Sequence, residues 1–452
     1  MNRNVRAQRQ ATILFKMKEN TEMKFFSNQD SHKAGEQTAR IIFFYEHVSR
    51  EVDAIMHIVH TLLNRAEIKL EVLVAQINIE WPDAVKYAKR SGIDAIILPS
   101  CYAAIPDCLW AMPFRRISSQ LVIINFHHEQ ILTPFNTQAQ LPQDEYAKNG
   151  CMHIAWADGF KKSLSKTGVK EQLIRVTGNP RADLLLQKNA NANKANLAKT
   201  YHLDESKKWI LFCENRYGSA AAAIDAQTKN AVNRAIDEET FIDKMRLDEE
   251  AQNIMYCQMR SLPASFFKKY ELIYRPHPGI ESEYDLPNTI RVIQDEPIGV
   301  WLNAVDMMLV WSSTSAFEAD VLGVPVARHE PVPNRAEFQP QGIDFYPCIH
   351  DLKDIDDKLI SEISLHNKSE KNFEINYGKV DGSSYARISD MILEAISNPP
   401  RLKQLPETLH VKKECAVFNA RSWISNFLWK RNLLQVLKWP RAGYIHKDEI
   451  IK

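Results

Sequence analysis

Two short segments of the chain carry residue types and spacings suited to holding phosphate: Tyr274-Arg275-Pro276-His277-Pro278-Gly279, and Trp311-Ser312-Ser313-Thr314-Ser315 leading into Ala316-Phe317-Glu318. In the first, the apolar run Leu272-Ile273-Tyr274 is a strand pattern. Two prolines stop it and fix the backbone, so that Arg275 and His277 project from its carboxyl end. In the second, Met307-Met308-Leu309-Val310 reads as a buried strand, followed by hydroxyl residues and a short helix that Gly323 should end. A helix that starts directly after a strand turns its first N–H groups toward the carboxyl edge of the sheet, where they and the helix dipole favour an anion. That edge is where parallel sheets bind ligands. Ser315 and Glu318 also have capping-box spacing, and His277 between prolines also suits a rigid surface loop.

The elements that must position these residues follow an alternating strand and helix pattern, which predicts an α/β protein with parallel sheets covered on both faces. Strands are predicted at Arg40–Tyr45, Leu70–Val74, Asp94–Leu98, Leu121–Asn125, His153–Trp156 and Leu173–Val176, with helices at Val52–Leu63 and Asp83–Lys89. These make a six-stranded first domain over 39–187, after a basic flexible segment at 1–38. Residues 188–207, rich in Asn, Ala and Lys, read as a linker. A second sheet begins at Trp209–Cys213 and continues through Leu272–Tyr274, Ile290–Ile293, Met307–Val310 and Val324–Val326, giving a second domain over 208–395. Two doubly wound domains facing across a cleft is the economical arrangement.

The length of 452 residues suits two cores. A hydrophobic share of 45% with 25% charged residues is that of a soluble globular protein. The net charge of +1 supplies no general drive toward nucleic acid. Seven scattered cysteines without a Cys-x-x-Cys pair argue for reduced thiols in a cytoplasmic protein and against a zinc site or a disulfide frame. The basic start of the chain is too polar for a signal peptide or a membrane span. At the other end, the tail 396–452 interleaves Trp423, Phe427, Trp429 and Trp439 with Arg421, Lys430, Arg431, Lys438 and Arg441. That pattern suits either an anionic membrane surface or a helix packed on the first domain.

Several motifs resemble one group of enzymes. They are Arg50-Glu51, Asn125-Phe126-His127-His128-Glu129-Gln130, Val176-Thr177-Gly178-Asn179-Pro180-Arg181-Ala182-Asp183, Arg275-Pro276-His277-Pro278, Ser312-Ser313-Thr314-Ser315 with Glu318 and Gly323-Val324-Pro325, and Asp381-Gly382-Ser383 with Arg387. Over roughly residues 39–395 the chain resembles GT-B glycosyltransferases of bacterial surface-carbohydrate biosynthesis. It is similar to the capsule 3-deoxy-manno-octulosonic acid (Kdo) transferases and, more distantly, to the CDP-glycerol glycerophosphotransferases.

The resemblance implies a nucleotide-sugar donor bound by the second domain, CMP-Kdo first among the candidates, and a glycan or lipid-linked acceptor. Arg275 and His277 would meet donor phosphate, Ser313, Thr314 and Ser315 would cradle it, and Glu318 would reach the ribose hydroxyls. Apart from the resemblance, Arg216 follows the strand ending at Cys213, in a loop that either faces the cleft and adds positive charge or is a plain surface turn. An inverting transfer needs a base at the carboxyl ends of the first-domain strands, where Glu46, His47, Glu51, His127, His128, Glu129 and Asp158 stand, with Glu51, His127 and Glu129 foremost; Glu51 could equally serve the helix it opens. No metal and no cofactor are called for. Asp354-Ile355-Asp356 matches the Asp-x-Asp pattern that holds a divalent ion in another glycosyltransferase fold, but its neighbours Asp351, Lys353, Asp357 and Lys358 mark a solvated helix face. A nucleotide-sugar 2-epimerase, a glycerophosphate transferase or a catalytically silent binding partner of the same fold remain alternatives.

Overall fold

Strands built from near-continuous apolar runs, such as Arg40-Ile41-Ile42-Phe43-Phe44-Tyr45, must be covered on both faces, and the architecture follows from that need. The computed structural model describes residues 23–28, 38–103, 107–187, 193–214, 237–277, 286–367, 372–404, 407–431 and 433. It divides into two units, each with its own parallel sheet. The first unit comprises residues 1–128, 142–181 and 381–452, the second 129–141 and 182–380.

Among the described residues the first unit holds seven strands: β1 (Lys24–Ser27), β2 (Thr38–Tyr45), β3 (Lys69–Gln76), β4 (Ala95–Leu98), β5 (Val122–Asn125), β6 (Met152–Ala155) and β7 (Ile174–Val176). Their order is β1-β3-β2-β4-β5-β6-β7, with every pairing parallel except β1 on β3. Residues Ile41 to Phe44 are almost wholly buried. The helix Asp53–Arg65 buries Ala54, Ile55, Ile58, Val59, Leu62 and Leu63, the i, i+3, i+4 stripe expected of a helix laid on a core. The helix Ile77–Ser91 is opened by a reciprocal cap: the Gln76 side chain accepts from Ile79 N, and Glu80 accepts from Gln76 N at 2.7 Å. It begins six residues ahead of the expected Asp83, because that cap outweighs the one hydrogen bond lost at Pro82.

The sheet corrects the six-strand expectation. Part of the segment expected to be flexible, Lys24–Ser27, forms an antiparallel edge strand, with Phe25 and Phe26 opposite Leu73 and Val72. Its two phenylalanines pair with Tyr87 and His60, at ring-centroid distances of 5.4 and 6.3 Å, and this apolar contact outweighs the surrounding charge.

The second unit holds β8 (Lys208–Cys213), β9 (Tyr270–Arg275), β10 (Ile290–Val292), β11 (Met307–Val310), β12 (Val326–His329) and β13 (Cys348–Ile349), all parallel in the order β10-β9-β8-β11-β12-β13. The strand expected at Val324–Val326 starts only at Val326, since Gly323 takes a left-handed φ of 70° to end the preceding helix. The edge pair β13 is two residues long and carries no periodic signal.

The units also divide differently from the sequence boundaries of 208–395 and 396–452. The chain returns to the first unit at Asp381. The helix Ser384–Ser397 packs on Asp53–Arg65, with Arg65 and Asp390 paired at 2.7 Å, and the helix Leu409–Trp429 packs on Ile77–Ser91. The return is built by a tight turn. Gly382 has a φ of 72°, Asp381 accepts from Ser383 N, and Arg387 donates both to Asp381 and to the Thr177 carbonyl at 2.6 Å. Thr177 lies four residues before the other crossing at Arg181 and Ala182.

Candidate functional site

In the second unit, Cys213, Arg275 and Val310 end adjacent strands in register. The chain leaving β8 begins with Glu214, whose buried carboxylate organises the neighbouring turn. It accepts from His277 N at 2.9 Å, from Gln252 Nε2 at 2.8 Å and from the Tyr256 hydroxyl at 3.3 Å. The Tyr256 hydroxyl lies 3.0 Å from that of Tyr274. Burial, reinforced by Glu214, drives the Tyr274 phenol far above its ordinary value, so it stays protonated. Sequence reasoning missed Glu214 as a determinant of the Arg275-Pro276-His277 turn, because His277 lies 63 residues away and the other partners, Gln252 and Tyr256, stand on a helix 38 and 42 residues away.

Arg275 is held from behind by two carbonyls, donating to Asp295 O at 2.9 Å and Glu296 O at 2.6 Å. Glu296 adopts a left-handed φ of 65° at this point. Burial lowers the Arg275 pKa, while Cys213, Glu318 and Asp295 act in the opposite sense. The Cys213 thiol is pushed up to about 12 by burial against the opposing effects of Arg275 and a Ser315 hydrogen bond. Arg275, Cys213, Ser315 and Glu318 thus share one electrostatic environment at the carboxyl edge of β8, β9 and β11. Ser313 joins it through a 2.7 Å contact between its hydroxyl and that of Ser315.

The helix after β11, Ser315–Val321, corrects one expectation. Its first N–H groups turn back on the chain: Ser315 N donates to Ser313 Oγ, Ala316 N to Ser313 O and Phe317 N to Thr314 O. Thr314 occupies the cap position without a side-chain cap bond, and Ser315 is the first helical residue, so the capping box does not form. The helix therefore spends its first N–H groups within the chain, and the polar groups brought together at this edge are the Arg275 guanidinium and the Ser313 and Ser315 hydroxyls. Trp311 anchors the strand end by donating to Asp248 at 2.9 Å, and Asp248 in turn pairs with Lys244 within the helix Glu238–Ser261. Arg216 lies outside the described residues. Asp356 accepts from Leu359 N and opens the helix Asp357–Asn367, a capping role for part of the Asp-x-Asp sequence.

The three candidate bases have distinct surroundings. Glu51 is only 2% exposed, and its two oxygens accept from Glu46 N and His47 N, each at 3.1 Å. It closes the turn at the end of β2. His127 is fully buried, with a left-handed φ of 49°. Its Nε2 lies 2.9 Å from His153 Nδ1, and His153 Nε2 lies 2.9 Å from the Lys148 carbonyl. A carbonyl only accepts, so in the neutral pair His153 carries its proton on Nε2 and His127 donates to it. Burial lowers both rings, His153 to about 4 and His127 well below its ordinary value. The third candidate, Glu129, accepts from Ile131 N at 3.4 Å and belongs to the second unit.

The left-handed residue sends His128 in another direction. Its Nδ1 lies 3.0 Å from the Pro99 carbonyl, which places the proton on Nδ1 and leaves Nε2 as the basic nitrogen. The ring is half-buried and meets His47 edge-on at 6.4 Å, at the carboxyl ends of β5 and β2. Alternation alone predicts that adjacent histidines diverge; the carbonyl that fixes the tautomer of His128 lies about thirty residues upstream and leaves no local signal.

No known protein-family profile matches the chain, and no curated protein matches it. Solved structures do. A variant of the wall teichoic acid polymerase TagF is 13% identical, with 84% of this chain and 91% of that chain covered and a TM-score of 0.50. S. aureus MnaA bound to UDP is 15% identical, with 81% and 99% covered and a TM-score of 0.46. The Methanocaldococcus jannaschii UDP-GlcNAc 2-epimerase in complex with UDP-GlcNAc and UDP is 14% identical, with 79% and 99% covered and a TM-score of 0.44. At such identities the TagF likeness speaks to fold alone. The chain has the GT-B architecture of two doubly wound, Rossmann-like units, as its motifs imply.

Proposed function

We propose that this chain is a GT-B glycosyltransferase. It moves a sugar from a nucleotide-activated donor, a CMP-sugar such as CMP-Kdo first among the candidates, to a growing surface polysaccharide or lipid-linked glycan on the cytoplasmic side of the membrane. The observation that supports this most is the convergence of Arg275, Ser313, Ser315 and Glu318 at the carboxyl edge of β8, β9 and β11, where a doubly wound sheet binds its ligand. In this reading Arg275 and His277 meet the donor phosphate, with Arg216 as a further cation. Ser313, Thr314 and Ser315 supply hydroxyl donors, and Glu318 accepts from ribose hydroxyls. A guanidinium already held by two carbonyls reorganises little as negative charge grows on the leaving nucleotide. The same cations take the part that a metal ion plays elsewhere, so the reaction is expected to survive chelation.

The acceptor hydroxyl oxygen attacks the anomeric carbon while the bond from that carbon to the phosphate oxygen breaks, its electron pair leaving with the nucleotide. The acceptor proton needs a base. Of the sequence candidates, Glu51 is committed to the β2 turn and His127 to the buried pair with His153, which suits both to positioning. His128, whose proton the Pro99 carbonyl holds on Nδ1, is the base in this reading, with Glu129, one residue on, as the other candidate.

A thermal-shift series with CMP, CDP, UDP and GDP on the wild type and on His277→Ala and Arg275→Ala tests the donor site. A nucleotide at a hundredfold its Kd adds about 2.7 kcal/mol and raises Tm visibly. Selective stabilisation by one nucleotide, lost in both variants, is expected; a shift that survives in them removes the phosphate site from this edge. Product analysis separates the rivals, since a transferase releases nucleotide, an epimerase returns nucleotide-sugar and a silent binding protein turns over nothing.

A further inference from the structure

The helix Leu409–Trp429 is apolar on two sides. One face, carrying Val411, Cys415, Phe418, Ser422, Ser425, Asn426 and Leu428, is buried in the first unit. Asn426 bonds to Ile79 O and Asp83, so the helix has a fixed rotation about its axis. The opposite face therefore looks outward by construction. It presents Ala416, Val417, Ala420, Trp423, Ile424 and Phe427, a stripe at i, i+3, i+4 and i+7. Trp423 is 50% exposed and Phe427 51%, with Val417 and Ile424 close behind. A packed surface rarely leaves four large apolar side chains contiguous in water.

Charge around the stripe indicates its partner. Arg421 flanks it on one side and Lys413 and Arg431 close its two ends, while on the other side Lys412 and Lys430 are paired with Glu407 and Asp83 at 4.0 and 2.7 Å. The Arg431 guanidinium lies over the Phe427 ring at 3.7 Å from its centroid. Glu414 is the one acidic residue between Leu409 and Arg431. No helix among the described residues is long and apolar enough to cross a membrane. An apolar stripe ringed by cations, with aromatic rings at its centre, matches a lipid interface with negatively charged headgroups.

We propose that this outward face of the 409–429 helix is a docking surface for an anionic lipid bilayer, on which the first unit lies with Trp423, Ile424 and Phe427 inserted among the headgroups. The surface operates without nucleotide or acceptor, so its test is independent of the proposed reaction. The full chain is sedimented with vesicles of phosphatidylcholine alone and of phosphatidylcholine mixed with phosphatidylglycerol. Binding to the mixed vesicles, weakened by salt, is expected. Trp423→Ser combined with Phe427→Ser should weaken that binding by about tenfold or more while leaving the unfolding midpoint unchanged, since both side chains are half in solvent. Lys413→Glu with Arg421→Glu should remove the preference for phosphatidylglycerol. Unchanged vesicle binding in the aromatic variant overturns the proposal. So does a concentration-dependent dimer that the same variant abolishes, because that result assigns the face to a second copy of the chain.

Discussion

At the scale of single residues, His127 and His128 are sequence neighbours with opposite chemical fates. The left-handed backbone at His127 buries its ring against His153, whereas His128 turns its Nδ1 to the Pro99 carbonyl and is the base in the proposed reaction. His128→Asn is expected to lower kcat by about 10² to 10⁴ with KM little altered, the usual contribution of a general base. His127→Asn should instead lower Tm, because His153 Nδ1 loses its partner inside the core. Equal kcat losses at unchanged Tm would sink the assignment. The histidines themselves were readable as strand-end residues, since β5 is a clear apolar run. Their division of labour was not, because it depends on one φ angle and on a carbonyl from another loop.

Among the elements, the helix Leu409–Trp429 shows how an amphipathic pattern can mislead. Phe418 inserts between Trp81 and Trp110, with centroids at 5.1 and 4.3 Å and near-perpendicular rings. Phe418→Ala is expected to cost about 3 to 5 kcal/mol, read as a lowered urea midpoint at unchanged m value. A cost within the range of a surface substitution would mean that the helix is only loosely held. Apolar residues on both faces blur the stripe that would announce which side packs, so packing and lipid docking read as alternatives when the helix does the first and is suited to the second. The edge strand β1 was concealed in a similar way, by basic residues around two phenylalanines.

For the whole molecule, buried neutral histidines occur in both units. Burial lowers His153 to about 4 in the first unit and His329 to about 4 in the second, each from an ordinary 6.5. Between those values the unfolded chain binds more protons than the native one. The stability these sites contribute is therefore full above about pH 6.5 and is lost as pH falls toward 4, each site accounting for up to roughly 3 kcal/mol. His329 Nε2 lies 2.7 Å from Gln258 Oε1, which also accepts from Leu352 N, so the ring donates to it. A glutamine can keep that donor without titrating. Tm should drop steeply between pH 6.5 and 4, and His329→Gln should flatten the slope; an identical slope in the variant would show that the ring does not resist protonation.

The sequence by itself determined the α/β class, nearly every strand and the carboxyl-edge placement of Arg275, His277 and the Ser-Thr run. Apolar runs, proline stops and glycine ends are local, and a parallel sheet leaves a buried strand few alternatives. Tertiary structure alone decided which groups meet: Glu214 with His277 N, Arg275 with the 295–296 carbonyls, and Ser313 with Ser315 in place of a capping box. It also decided that residues from Asp381 onward complete the first unit, since the cover for the 53–65 and 77–91 helices comes from the far end of the chain. Such contacts join residues tens to hundreds of positions apart, and their energy depends on distances that residue type and spacing do not encode.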